Sequence, residues 1–94
     1  MVKRLIVSRN AYRHIDRILE FNNLRNHSTT YSRKFLKALF KELNLLKKFP
    51  VMGISTHKEN IFLLIWDDYY IYYTNTETTI EIQAIHHQKE DVMR

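Results

Sequence analysis

The sequence contains no cysteine, one proline and one glycine in 94 residues, and its longest apolar run is the six residues from Ile61 to Trp66. Each scarcity excludes something. Without thiols there is neither a disulfide framework nor a thiolate metal site. Gly53 alone cannot build the glycine-rich loop that cradles phosphates. Six apolar residues fall far short of the roughly 20 that a spanning helix requires, so no membrane association is expected. The start Met1-Val2-Lys3-Arg4 is basic, but it leads into only a short apolar stretch with no small-residue cleavage site, so a cytoplasmic protein is expected. Acidic residues are also scarce in one half: residues 1–49 hold twelve Lys and Arg against three acids, whereas residues 50–94 hold three against seven. The basicity therefore belongs to the first half, where it suits an acidic or nucleic-acid partner or simply forms solvated helix faces.

A hydrophobic content of 45% is enough for one core, and residues 1–94 are read as a single domain. The organising stretch is Ile61 to His86. Ile61-Phe62-Leu63-Leu64-Ile65-Trp66 and Tyr69-Tyr70-Ile71-Tyr72-Tyr73 are rich in β-branched and aromatic residues, and between them stands Asp67-Asp68. Asp tolerates the left-handed geometry of a two-residue hairpin, so two strands and a tight turn are predicted. Thr79 to His86 gives a third strand, with Ile80, Ile82 and Ala84 alternating with Glu81 and Gln83. This pattern predicts an antiparallel meander with one buried face, and it places His86 on the same face as Ile80.

Upstream, Leu5-Ile6-Val7 predicts a strand, and Ser8 stands where a helix N-cap would. Tyr12, Ile15, Ile18 and Leu19 then recur at helical spacing, giving a helix from about Arg9 that ends between Phe21 and Arg25. A second helix from about Tyr31 to Phe49 carries the stripe Phe35, Leu36, Leu39, Phe40, Leu43 and Leu46. Beside that stripe, Lys34, Lys37, Lys41 and Lys48 fall within roughly 60° at 100° per residue, a cationic row. Pro50 and Gly53 end the helix, and Ile54 to His57 leaves room for a short edge strand. The expected fold is α+β: a small antiparallel sheet in the order β-α-α-β-β-β, with one optional extra strand, packed on a two-helix hairpin.

This order, with Leu45-Leu46-Lys47-Lys48-Phe49-Pro50 and Gly53, then Tyr69-Tyr70-Ile71-Tyr72-Tyr73, then Ile85-His86 with Lys89 and Glu90, resembles the RelE/ParE superfamily, the toxins of bacterial type II toxin-antitoxin modules. The resemblance spans nearly the whole chain. It implies a toxin held inactive in a hetero-oligomer by a cognate acidic antitoxin, for which Lys34, Lys37, Lys41 and Lys48 are the candidate contacts. It also implies one of two targets. One branch inhibits DNA gyrase without catalysis of its own; the other cleaves messenger RNA on the ribosome without a metal. Neither branch needs a cofactor, and none is expected.

Metal-free RNA cleavage requires a group to take the 2′-hydroxyl proton, a cation near the phosphate and an acid for the leaving oxygen. The ribonuclease branch commonly has an arginine on the first meander strand, but Ile61 to Trp66 contains no cation. Under that reading the catalytic candidates are His86, His87, Lys58 and Tyr73. Adjacent histidines on a strand point to opposite faces, so only one of the pair can line a given surface. His57 and Lys89 are candidate target contacts. The tyrosines offer a stacking platform for bases, although alternate burial in the core explains them equally well. No histidine or aspartate pair has a spacing that favours a metal, and no metal site is expected. The missing cation favours the gyrase-inhibitor reading over messenger RNA cleavage. It also admits a toxin homologue that has lost its activity and persists as an antitoxin-binding partner.

Overall fold

The computed structural model describes residues 3–26 and 29–88. Strand β1 (Arg4–Val7) leads directly into helix α1 (Arg9–Asn26), and helix α2 (Thr30–Lys48) returns antiparallel to it. A short 3-10 turn (Pro50–Met52) then opens β2 (Ile54–Ser55), followed by the meander β3 (Ile61–Trp66), β4 (Tyr69–Asn75) and β5 (Thr79–His87). The sheet order is β1-β5-β4-β3-β2. From β2 to β5 all neighbours are antiparallel, and the edge strand β1 joins β5 in parallel. The parallel edge is possible because β1 reaches β5 only through both helices, a connection far longer than the crossover a parallel pair requires. The α+β architecture, the two-helix hairpin and the optional short strand, here β2, are all present.

The local devices follow from the residues. Ser8 caps α1: its Oγ accepts the Ala11 N–H at 3.1 Å, one of the amides that the first turn leaves without a helical partner. The turn between β3 and β4 is Asp67-Asp68, and Asp67 takes the left-handed φ of 53° that a tight hairpin demands. At the end of α2, Pro50 cannot continue the helix, and Tyr73 reaches across to hold the turn that follows. The Tyr73 hydroxyl donates to the Pro50 carbonyl at 2.8 Å and accepts the Gly53 N–H at 3.0 Å. Gly53 is required there by close approach, because a Cβ would lie 2.7 Å from Tyr73 Cε1 and 2.9 Å from Cζ.

The helices cover one sheet face only. From α1 come Ala11, Ile15 and Ile18, and from α2 come Phe35, Leu39, Leu43 and Leu46. The sheet supplies Leu64, Tyr69, Ile71, Tyr73, Ile80, Ile82 and Ile85. Burying side chains of this size is worth roughly 1.5–3 kcal/mol each, which makes this layer the principal source of stability. Two expectations need correction. Tyr12 is 52% exposed, and the buried position at the start of the α1 stripe is Ala11. On β5 the alternation breaks: Tyr72 pairs with Ala84 but Tyr73 pairs with Ile82, so Gln83 is an extra residue in a β-bulge. After the bulge the core position is Ile85, at 1% exposure, in place of Ala84.

Candidate functional site

The bulge decides which way each of the two adjacent histidines points. One residue of slip exchanges the faces, so His86 lies opposite Tyr70 on the uncovered side, while His87 lies opposite the buried Tyr69 on the helix side. The expectation that His86 continues the Ile80 face is thereby corrected, and the cause is Gln83. The extra residue does not leave its carbonyl bare: Ser8 Oγ at 3.3 Å and Asn10 Nδ2 at 3.4 Å both donate to it.

Beyond the bulge, β1 has ended at Val7, opposite Ile82, and Ser8 N–H makes the last contact to the Ile82 carbonyl. The Ile85 N–H is supplied from α1 instead, where His14 Nδ1 accepts it at 3.1 Å. Accepting at Nδ1 requires that this nitrogen carry no proton. His14 also meets His86, with ring centroids 4.5 Å apart, and His86 meets Tyr72 edge-on at 6.2 Å. A cluster of His14, Tyr72 and His86 therefore stands where α1 meets the open sheet face. Sequence reading missed His14, although its position next to Ile15 in the buried stripe of α1 was a signal that it borders the sheet.

On the other side of the sheet, His87 packs edge-on against Tyr69, centroids 5.3 Å apart, and Tyr69 joins Trp66 and Phe35. Trp66 is thus a sheet anchor. Tyr69 and His87, with Ile18, floor a cleft of about 500 Å³ between the tip of the helix hairpin and the β3–β4 turn. Arg17 and Arg25 line one wall, Asp67 and Asp68 another, and Phe21 and Tyr31 the rim. Both signs of charge around an apolar floor suit a peptide side chain better than a phosphate, which Asp67 and Asp68 would repel.

The four candidate catalytic residues do not converge. Tyr73 is fully buried with its hydroxyl engaged by Pro50 and Gly53, which leaves it no surface on which to meet a substrate. Burial pushes its phenol above the ordinary pKa, only partly offset by the Gly53 N–H. Lys58 is exposed in the β2–β3 loop before Ile61, which pairs with Thr74, whereas His86 pairs with Tyr70. Four residues of β4 separate those rungs, roughly 13 Å along the strand. His86 and His87 face opposite sides. Among the described residues the five strands carry one Lys or Arg, Arg4, which pairs with Thr79 at the far end of β5 from His86. His57 is exposed in the same loop as Lys58, and Lys89 lies outside the described residues. Among the described residues no group of three or more His, Asp or Glu is placed to hold a metal ion.

Lys34, Lys37, Lys41 and Lys48 are all exposed on α2, but their row lies opposite the buried stripe and not beside it as expected, because at 100° per residue the two sets point nearly half a turn apart. No helix of the described chain is long and apolar enough to cross a membrane.

The fold and residues can be set beside known proteins. No curated protein matches the sequence. Among solved structures, a chain of the chromosomal ParDE toxin-antitoxin system from P. aeruginosa superposes with a TM-score of 0.75 at 12% identity, over 92% of this chain and 96% of that one. A chain of the RelBE2 toxin-antitoxin complex from Mycobacterium tuberculosis superposes with a TM-score of 0.65 at 15% identity, over 93% and 99%. At such identities the superpositions establish a shared fold. The sequence profile described as the ParE toxin of the type II toxin-antitoxin system, parDE, matches residues 5–92 and so takes in the strands, the helix hairpin and the meander. The chain belongs to the ParE toxin family of type II toxin-antitoxin systems.

Proposed function

We propose that this toxin arrests growth in the cytoplasm by binding DNA gyrase, breaks no bond itself, and is held inactive in a hetero-oligomer with a co-encoded acidic antitoxin. The observation that carries the reading is the dispersal of its acid-base groups. Cleavage without a metal needs a base, an acid and a phosphate-facing cation within one hydrogen-bonded assembly. Among the described residues the strands place no Lys or Arg beside His86; Arg4, the one strand cation, pairs seven residues back along β5. A binder has no such requirement: exposed side chains on a rigid scaffold suffice.

Induced expression without the antitoxin tests this. Growth should stop, purified gyrase should lose supercoiling activity, and mapped 5′ ends of transcripts should show no new cuts with the wild type or with His86→Ala/His87→Ala. One observation favours a second reading, a RelE-like messenger RNA endonuclease. It is the His14, Tyr72 and His86 cluster on the open face, which contains groups able to move protons near neutral pH. That reading requires cuts with the wild type that fall by about 10²- to 10⁴-fold in the double variant. A folded protein that neither slows growth nor cuts message would instead be an inactive homologue retained for antitoxin binding.

A further inference from the structure

Where β1 has ended, three side chains from the cap and first turns of α1 meet the edge of β5 in its place. Ser8 Oγ and Asn10 Nδ2 donate to the Gln83 carbonyl, and His14 Nδ1 accepts the Ile85 N–H at 3.1 Å. The first two contacts are indifferent to pH near neutrality, because neither a hydroxyl nor a side-chain amide titrates there. The third is not. An imidazole accepts at Nδ1 only while that nitrogen carries no proton, so His14 is neutral in this arrangement, with its proton on Nε2. A second proton must go to Nδ1, where it faces the Ile85 N–H donor against donor. Ile85 is a core residue at 1% exposure, and a backbone donor abandoned there is costly.

The groups around His14 oppose the added charge. On β5 it meets His86, ring centroids 4.5 Å apart, and His86 meets Tyr72 of β4 edge-on. Charging both imidazoles brings like charges together. Strand β4 carries no carboxylate, and the one on β5, Glu81, lies five residues back from His86, where its Oε1 accepts Gln83 Nε2 at 3.1 Å. Arg4 of β1 is at the far end of β5. On α1 itself, Asp16 and Glu20 point more than about 100° away from His14 around the helix, Arg13 is about 100° from it, and Arg17 is about 60° from it. We propose that His14 and His86 form an acid-released latch between α1 and the end of β5. The released form accepts protons that the latched form cannot, so acid drives release once the pH falls below the ordinary imidazole value near 6.5, and above about pH 7 the latch is closed. The opening is local. Ala11, Ile15 and Ile18 keep α1 on the core, Ser8 and Asn10 keep its start on Gln83, and the Gln88 N–H keeps the end of β5 on the Asp68 carbonyl at 2.9 Å. What is lost is the fixed registration of α1 against Ile85 to His87, which sets His86 on the open face and His87 at the floor of the cleft. Acidification therefore loosens both surfaces, whatever partner the toxin binds there.

Two nuclear magnetic resonance measurements on the intact chain test the latch. The first is amide hydrogen exchange at Ile85, each rate divided by that of an unstructured amide at the same pH. With one linked proton that titrates near 6.5 in the released form, the opening that frees the Ile85 N–H should grow about thirtyfold between pH 7.5 and pH 5, and protection should fall by that factor. In His14→Gln the side-chain oxygen can accept the same N–H at either pH, so the fall should be at least about tenfold smaller. The second measurement follows the nitrogen shifts of the His14 ring in the wild type. At pH 7.5 they should report a bare Nδ1 and a protonated Nε2, and on acidification the ring should charge with the same midpoint at which Ile85 loses protection. Should His14→Gln fail to fold, this titration decides alone. Equal loss of Ile85 protection in wild type and His14→Gln, or a His14 ring that charges while Ile85 stays as protected as at pH 7.5, would overturn the latch.

Discussion

Tyr73→Phe isolates one hydroxyl whose surroundings are fully specified. The ring stays in its slot against Phe62, with centroids 5.6 Å apart, and only the oxygen is lost. That oxygen joins β4 to the turn after α2 by two hydrogen bonds, to the Pro50 carbonyl and from the Gly53 N–H. Removing it leaves two backbone groups facing a hydrocarbon edge, at roughly 1–3 kcal/mol for each buried group left unsatisfied. Both Pro50 and Gly53 are half-buried, so water can partly replace the oxygen, and the lower part of that range applies. The expected loss is about 2–3 kcal/mol. In a domain of this size, each kcal/mol moves the thermal midpoint by about 4–8 °C, so a fall of roughly 10–20 °C is expected by calorimetry or circular dichroism. A pH series provides an independent check. Burial raises the folded-state pKa of this phenol above the unfolded value near 10. A raised folded value means that the Tyr73 contribution is whole below about pH 10 and is lost as pH climbs through the folded value. The gap between wild type and Tyr73→Phe should therefore be constant from neutral pH up to about 10 and narrow above it. A midpoint within about 2 °C of wild type at neutral pH would refute the clamp.

Three further outcomes follow from the packing. Leu39→Ala and Ile82→Ala, each truncating a side chain with no exposed surface, should cost roughly 2–5 kcal/mol in urea denaturation, enough to unfold much of so small a protein. Gly53→Ala should destabilise through the Tyr73 contact even though the backbone there is extended, and Gly53→Ala combined with Tyr73→Phe should cost less than the two single losses added, since both act on one contact. Ser8→Ala removes the α1 cap and one donor to the Gln83 carbonyl, for an expected loss of about 1 kcal/mol, read from the denaturation midpoint.

Most of the architecture was legible because its signals are local. The α2 stripe, the Ser8 cap, the Asp67 turn and the buried alternation of Tyr69, Ile71 and Tyr73 each depend on residues a few positions apart. The failures are non-local. A strict period of two runs through Ile80, Ile82 and Ala84, and nothing in those residues announces that Gln83 will bulge. The reason sits more than 70 positions upstream, where Ser8 and Asn10 meet the extra carbonyl and His14 takes the Ile85 N–H. His14 was missed for the same cause. Tyr73 read as a candidate for chemistry because sequence shows a hydroxyl but not its burial or its engagement with Pro50 and Gly53. The cleft joins residues from both helices, a hairpin turn and the end of β5, and no spacing within one segment encodes such a meeting.

The bulge also bears on how the protein works. Without it, His86 would sit under the helices and His87 would join Tyr70 and Tyr72 on the open face; with it, the assignment is reversed, and α1 supplies His14 as a neighbour to His86. The open face thus gains two imidazoles and a phenol, and among the described residues the strands place no guanidinium or ammonium near them, since Arg4 is roughly 20 Å away along β5 at about 3.3 Å per residue. Proton carriers without a fixed cation can bind, and they can shuttle protons, but they leave the charge that develops on a phosphate without its main source of stabilisation. Lys34, Lys37, Lys41 and Lys48 stand on α2 opposite its buried stripe, whereas Arg13 and Arg17 lie on α1, the helix that also carries His14. Among the described residues the strands themselves thus give His86 no cation, and that is the observation on which the proposed binding reading rests.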